Sequence, residues 1–327
     1  MSKRKPLTYL AAVCTVTAGK TSCLAADARA AESRSIDAKD KVPGMQGSQT
    51  PTAPDRQPGL VGGLHAGDSL LQVENARLGY KLENRFHLAV QDVSFDLSPA
   101  ETVILLGPSG CGKSTLLKSI AGFIDLSGGS ISLRGRRTVA PGPDRAVVFQ
   151  EFDQLFPWRT VLDNVAYPLR RNGRSKAKAA DRAKHYLGMM GLSEAVDRFP
   201  HQLSGGMKQR VSIARAMALE PAMLLMDEPF GSLDALTRSR LQQELNDIAA
   251  QTEVTILFVT HSIEEAIILG DRIVILSDPP SVVREIVDVS EATKRADSDD
   301  YLEMRSHLRS MLVSEGAEDG HEIKPFD

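Results

Sequence analysis

The sequence predicts an α/β protein in which a mostly parallel, helix-covered sheet carries an N-terminal antiparallel β subdomain and a helical subdomain. Three observations predict it. Five short runs, at 103–106, 147–149, 223–226, 255–259 and 273–276, are almost wholly apolar. Continuous apolarity means burial on both faces, as parallel strands joined by crossover helices require. Residues 70–73 and 90–97 instead alternate apolar with polar side chains, the pattern of an antiparallel sheet with one wetter face. Between Arg170 and Arg198 only helical runs rich in Ala, Lys and Arg occur, so a helical subdomain is expected over about 155–215.

The first 67 residues stand apart. Lys3, Arg4 and Lys5 precede a mildly apolar stretch at 7–18, the outline of a secretory signal, but Thr8, Tyr9, Thr15 and Thr17 interrupt it and Lys20 ends it. From Ala30 onward Ser, Asp, Gln, Pro and Gly dominate. Such a composition cannot offset its ordering entropy, and residues 1–67 are read as a disordered N-terminal extension. The folded domain is expected over 68–280, and 281–327 is a tail with one amphipathic helix at 299–314.

Composition sets limits on function. In 327 residues, 42% hydrophobic and 25% charged, a large core can be buried. The formal net charge of -3 supplies no overall basic field, so no nucleic-acid partner is expected. Cys14, Cys23 and Cys111 are too few and scattered for a disulfide framework or a four-ligand zinc site. No run approaches the roughly 18 to 20 apolar residues of a spanning helix.

The strongest motif is Gly107-Pro108-Ser109-Gly110-Cys111-Gly112-Lys113-Ser114-Thr115. It follows a predicted strand and opens a predicted helix, the context that a GxxxxGK[ST] phosphate loop requires. Glycines let the backbone wrap so that its N–H groups face phosphates, and the helix N-terminus adds favourable partial charge. Lys113 is placed to reach β- and γ-phosphates and Ser114 to ligate magnesium. Cys111 is read as a small tolerated loop residue without a redox part, because no partner cysteine is near in sequence. A second signal is Asp227-Glu228 at the end of the run 223–226. Alone, such a pair is an ordinary helix cap with a solvated neighbour. Combined with a phosphate loop, Asp227 becomes a metal-associated carboxylate and Glu228 a general base, at the strand ends where α/β sheets bind ligands.

These motifs leave kinases, small GTPases, helicases and transport ATPases open. The deciding segment is Leu203-Ser204-Gly205-Gly206-Met207-Lys208-Gln209-Arg210, a second glycine-containing turn before a helix. Here the chain resembles the ATP-binding subunits of ABC transporters, P-loop NTPases whose signature is LSGGQ-like, with Met207 in place of the usual glutamine. The resemblance runs from about Leu70 to Ser277. It implies that ATP and Mg2+ are bound and that Ser204, Gly205 and Gly206 receive nucleotide. Gln150 is similar to the Q-loop glutamine that meets metal and attacking water. Ser232-Leu233-Asp234 resembles the D-loop, and His261 the switch histidine, where a bare reading sees a half-buried histidine at a strand end. Tyr80 is similar to the aromatic that stacks on adenine, with Phe86 as competitor and a core position as the plain alternative.

Residues 154–161 and 227–238 are similar to importers of nitrate, taurine and other alkanesulfonates. That resemblance implies an ATPase that pairs head to tail as a homodimer, Ser204 and Gly206 of one copy closing on ATP held by Lys113 of the other. Each copy docks one of two transmembrane permease subunits at the cytoplasmic face of the membrane, and an extracytoplasmic solute-binding protein delivers the anion. Phe156, Pro157 and Trp158 are expected to line the groove for a permease helix, unless Trp158 is simply core. The alternative function is a soluble ABC ATPase acting on nucleic acid or ribosomes. The single nucleotide domain and the absence of zinc cysteines, coiled-coil insertion and basic stripe argue against it.

Overall fold

A computed structural model describes residues 69–82, 85–138, 140–150, 154–296 and 298–312. The expected N-terminal extension lies outside them.

Two sheets organise the chain. Strands β1 (Leu71–Leu82) and β2 (Arg85–Leu97) pair antiparallel, and β1 also takes β4 (Gly128–Leu133), followed by the short β5 (Arg136–Arg137). The order is β2-β1-β4-β5. The second sheet is built on β3 (Thr102–Leu106), β6 (Arg145–Val148), β7 (Met223–Asp227), β8 (Thr255–Thr260), β9 (Arg272–Leu276) and β10 (Val283–Asp288), in the order β10-β9-β3-β8-β7-β6. Its first five strands run parallel, and β10 closes the edge antiparallel to β9. The chain therefore stays in the main sheet beyond residue 280.

The apolar strands are explained by two cores, one on each face. Ile104 and Leu106 of β3, with Leu224, Met226, Ile256 and Phe258, face one core. Val103 and Leu105, with Leu225, Leu257 and Val259, face the other. Period-2 alternation of side chains sends neighbouring residues to opposite faces, so a strand covered on both sides must be apolar throughout. The second core is closed by α1 (Lys113–Ile120) and by the inward residues of the antiparallel sheet, among them Leu71, Val73 and Val93.

The first core is covered by helices. Helix α2 (Val161–Arg171) starts at Thr160, whose hydroxyl accepts the Asp163 N–H, and α3 (Lys176–Met189) starts at Ser175 in the same way. Such caps satisfy orphan N–H groups and contribute about 1 kcal/mol each. Helix α4 (Gly205–Met217) packs on both, and α5 (Ala235–Thr252) and α6 (Ile263–Leu269) follow β7 and β8. The tail helix α7 (Asp299–Leu312) packs against α6, burying Tyr301 and Leu308 in the first core. No helix among the described residues is long and apolar enough to cross a membrane.

Candidate active site

Three parallel strands, β3, β7 and β8, end together, and the chemistry-bearing residues leave from those ends. After Leu106 the chain turns through 107–112 into α1. Gly112, the N-cap of α1, has φ +98°, and a Cβ there would lie 2.8 Å from Val90 Cγ2. Only glycine satisfies both the left-handed backbone and that close approach. Lys113 is buried, and its Nζ donates to the Gly107 and Pro108 carbonyls at 2.8 Å each. The ammonium is thereby held inside the loop it belongs to. Cys111 is also fully buried, 3.9 Å from that Nζ, and desolvation pushes its thiol above the ordinary range. An enclosed thiol with a raised pKa is a poor nucleophile.

Ser114, one residue into α1, donates its hydroxyl to Asp227 Oδ1 at 2.6 Å. Asp227 is the last residue of β7 and is buried, and desolvation raises its pKa, with the Ser114 bond acting in the opposite direction. The next residue, Glu228, takes φ +45° and donates its N–H to Val259 O at 3.0 Å. A left-handed conformation is uncommon for a glutamate and persists only when surrounding structure enforces it. Its consequence is that two adjacent carboxylates diverge, Asp227 toward Ser114 and Glu228 toward His261, whose Nδ1 lies 3.0 Å from Glu228 Oε2.

Lys113, Ser114 and Glu228 line a cleft of about 380 Å3 together with Tyr80, Ser109, Gly110 and Thr115, among others, whereas Asp227 and His261 are not lining residues and join it through Ser114 and Glu228. Tyr80 is 57% exposed, which removes the core alternative, and it stacks on His87 at 5.7 Å between ring centroids. The Phe86 side chain lies outside what the structure describes. His87 and Pro279 also line the cleft and were not singled out in the sequence. Pro279 arrives there because Ser281 exchanges backbone bonds with β2, its N–H donating to Ala89 O at 2.9 Å and its carbonyl accepting Gln91 N–H at 2.8 Å.

Gln150 is exposed and is not among the lining residues; a Cβ at Gly231 would lie 3.0 Å from its Nε2. Its amide thus stands against the Glu228–Gly231 turn, in which the Gly231 N–H donates to Glu228 O at 3.2 Å. The signature residues are likewise not cleft residues. Ser204 caps α4 by accepting Met207 N–H at 3.3 Å, Gly205 opens that helix, and Gly206 is buried where a Cβ would meet Thr237 Cγ2 at 2.7 Å. Asp234 caps α5 through Thr237 N–H at 3.0 Å, and that bond holds its carboxyl below the usual range.

A second cluster lies at the start of α2. Trp158 is 70% exposed, so the core reading of it is excluded. Its ring lies 5.7 Å from Phe156, Phe156 meets Tyr167 edge-on at 5.2 Å, and the Arg159 guanidinium covers Tyr167 at 4.3 Å. Fully buried Asn164 fixes this turn by accepting the Phe156 N–H at 2.8 Å and donating to the carbonyls of Phe156, Arg159 and Thr160.

A phosphate loop facing an acidic strand end in an open α/β sheet defines a nucleotide-hydrolysing P-loop protein. Residues 90–231 match the ABC transporter family. The chain is 44% identical over 255 residues to the taurine import ATP-binding protein TauB of Rhizobium johnstonii, covering 75% of this chain and 97% of that one. It is 42% identical over 234 residues to the nitrate import ATP-binding protein NrtC of Synechococcus elongatus, covering 69% of this chain and 35% of that longer protein. A dimeric structure of a bacterial ABC transporter cassette is similar with a TM-score of 0.60 and 32% identity, over 67% of this chain and 99% of that one. The chain belongs to the ATP-binding subunits of the ABC transporter family, and it is an ATP-binding ATPase of that class.

Proposed function

We propose that the chain hydrolyses ATP to power an importer for a small anion of the taurine, sulfonate or nitrate kind. The observation that carries the hydrolytic part is the divergence of Asp227 toward Ser114 and Glu228 toward His261, which supports a metal-side role for the first and a base role for the second. The names of the similar proteins support the importer and its anion class.

Ser114 and Asp227 offer a hydroxyl and a carboxylate oxygen 2.6 Å apart, hard donors of the kind Mg2+ prefers, and Gln150 adds an amide oxygen. When bound, Mg2+ neutralises charge on the β- and γ-phosphates. Backbone N–H groups of 107–115 and Lys113 hold the phosphates, and Tyr80 stacks on adenine. Glu228 takes a proton from the attacking water. His261, bonded to Glu228, orients that carboxylate and meets the γ-phosphate. Ser204, Gly205, Gly206 and Asp234 complete the site from a second copy in a head-to-tail homodimer, which fits their position away from the cleft of their own chain. The Phe156–Trp158 turn receives a helix of a permease subunit, two of which pair with the dimer at the cytoplasmic face of the membrane, while a solute-binding protein outside delivers the anion.

Glu228→Gln tests the hydrolytic part, since the amide keeps the shape and loses the basicity. Turnover should fall by about 10² to 10⁴, while ATP binding persists and a closed dimer accumulates in size-exclusion chromatography with ATP. Lys113→Ala should lose nucleotide and dimer together. Near-normal turnover in Glu228→Gln removes Glu228 from the mechanism. The importer part is tested by uptake of labelled taurine and nitrate in cells with and without the chain, and unchanged uptake of both overturns it.

A further inference from the structure

The turn that carries His261 is fixed by a buried carboxylate that the mechanism above does not use. Ser262-Ile263-Glu264-Glu265 has the S-x-x-E spacing of a capping box, in which the glutamate would reach back to the serine N–H. Ser262 plays its part, its Oγ accepting Glu265 N–H at 3.2 Å. Glu265 does not, for its carboxylate turns inward and is 6% exposed. The Ser262 N–H is taken instead by Thr260 Oγ1 at 3.0 Å.

A carboxylate so enclosed requires partners for its oxygens. Oε2 accepts the Thr260 hydroxyl at 2.6 Å, and Oε1 accepts Gln242 Nε2 of α5 at 3.2 Å. Arg238, also on α5, has its Nε 4.0 Å from Oε1 and donates from Nη2 to Leu233 O at 3.0 Å. Thr260, on one side of His261, is therefore tied directly to the Glu265 side chain, and Ser262, on the other side, is tied to it through Thr260 Oγ1. That side chain is tied in turn to the helix that begins at Asp234 and to the Ser232–Asp234 segment before it. At the other end His261 meets Glu228 at 3.0 Å.

We propose that Glu265 is a positioning residue for hydrolysis, holding the His261 turn against α5 so that the imidazole stays on Glu228 in register with the Ser232–Asp234 segment. The proposal rests on the roles given above to Glu228 and His261. Glu265→Gln leaves one oxygen to do the work of two acceptors, so the turn loosens without a change in volume. Thr260→Val cuts the same link from the β8 side with a residue suited to a strand.

The test is a double-mutant cycle in steady-state Mg2+-dependent ATP hydrolysis by the full chain, with thermal melting of each variant. Ångström-scale misplacement of a reacting group costs up to about 100-fold. Glu265→Gln and Thr260→Val should each lower kcat by about 10- to 100-fold with KM for ATP changed by less than about 3-fold. In the His261→Ala background the same substitutions should cost less than about 2-fold, because a residue acting through His261 has nothing left to position. Equal losses in both backgrounds, or no loss in either variant, overturn the proposal. A second arm reads the ring directly, by 15N chemical shifts of labelled histidine. Glu265→Gln should move the His261 ring signals away from a single Nδ1-bonded tautomer, and unmoved signals overturn the proposal even if turnover falls. If the wild-type chain fails to hydrolyse ATP, the mechanism above fails, and the ring signals alone then decide whether Glu265 positions His261.

Discussion

Arg215→Met should leave stability nearly unchanged and still slow hydrolysis. Arg215 stands in the last turn of α4, part-buried, and burial lowers its pKa to about 10. At about 1.4 kcal/mol for each pH unit, holding that part-buried charge in the fold costs at most about 3 kcal/mol. The sign follows from the direction. A cation whose folded pKa is depressed destabilises fully below about pH 10, and the cost fades only as pH rises above that value. Opposing it are two bonds from the guanidinium to Gln154, at 2.6 Å to the backbone oxygen and 3.3 Å to Oε1. Hydrogen bonds from charged groups contribute roughly 1.5 to 3 kcal/mol each, and the 3.3 Å bond stands at or below the weak end of that range, so gain and cost are of similar size. Methionine keeps much of the apolar stem without the charge, and the net change should be within about 2 kcal/mol. Arg215→Lys, which retains a buried charge but loses the planar fork, should be the less stable variant. The function should not be spared. Gln154 Nε2 donates to Phe149 O at 3.0 Å, directly before Gln150, so releasing Gln154 releases the residue assigned to the metal and the attacking water. Turnover should fall by about 10-fold or more. Urea denaturation and steady-state hydrolysis at saturating Mg2+ and ATP measure the two effects. A stability loss above about 4 kcal/mol, or wild-type turnover in Arg215→Met, would refute the reasoning.

Three further outcomes are expected. Gly112→Ala should lose about 2 kcal/mol or more, from its left-handed φ and the 2.8 Å approach to Val90, together with affinity in a nucleotide titration. Trp158→Ala should change stability by less than about 0.5 kcal/mol, because its ring is largely in solvent; ATP hydrolysis by the isolated chain should persist while anion uptake falls in whole cells. Leu308→Ala, in the tail helix but fully buried, should cost about 2 to 5 kcal/mol and lower the melting temperature accordingly.

What could be read from the sequence was what is contiguous in it. The phosphate loop is nine consecutive residues running from a strand end into the first turn of a helix, and its glycines mark the turn. The five parallel strands announced themselves because burial on both faces leaves no room for a polar residue. Strand β10 was missed for the complementary reason. It lies at the sheet edge, its residues alternate between partly buried and exposed, and Val-Arg-Glu-Ile-Val-Asp carries too little apolar signal to stand out from a tail. β4 and β5 are short and glycine- or arginine-rich, and only pairing, of β4 with β1 and of β5 with β4, makes them strands.

The side chains that organise the site from behind were illegible for a different physical reason. Arg215 reads as a basic residue favourably placed at a helix C-terminus, and only the fold brings it onto Gln154, 61 residues away in the chain. Asn164 reads as a polar residue in the first turns of α2, yet it satisfies four polar atoms of the turn that presents Trp158. The sharpest case is the pair Glu264 and Glu265. Both are acids in the first turn of α6, equally suited to the positive end of the helix dipole. One residue step is a rotation of about 100° around the axis. That rotation puts Glu264 half in solvent, where it pairs with Arg305 of α7 at 3.4 Å. It puts Glu265 between β8 and α5, where its carboxylate must be bonded on both oxygens. Neighbouring residues of one type therefore differ in kind once the helix is docked, and the docking surface, α5, comes from chain some 20 residues upstream. A local motif describes what a turn can do by itself; the inward turn of Glu265 is set by what the turn is packed against.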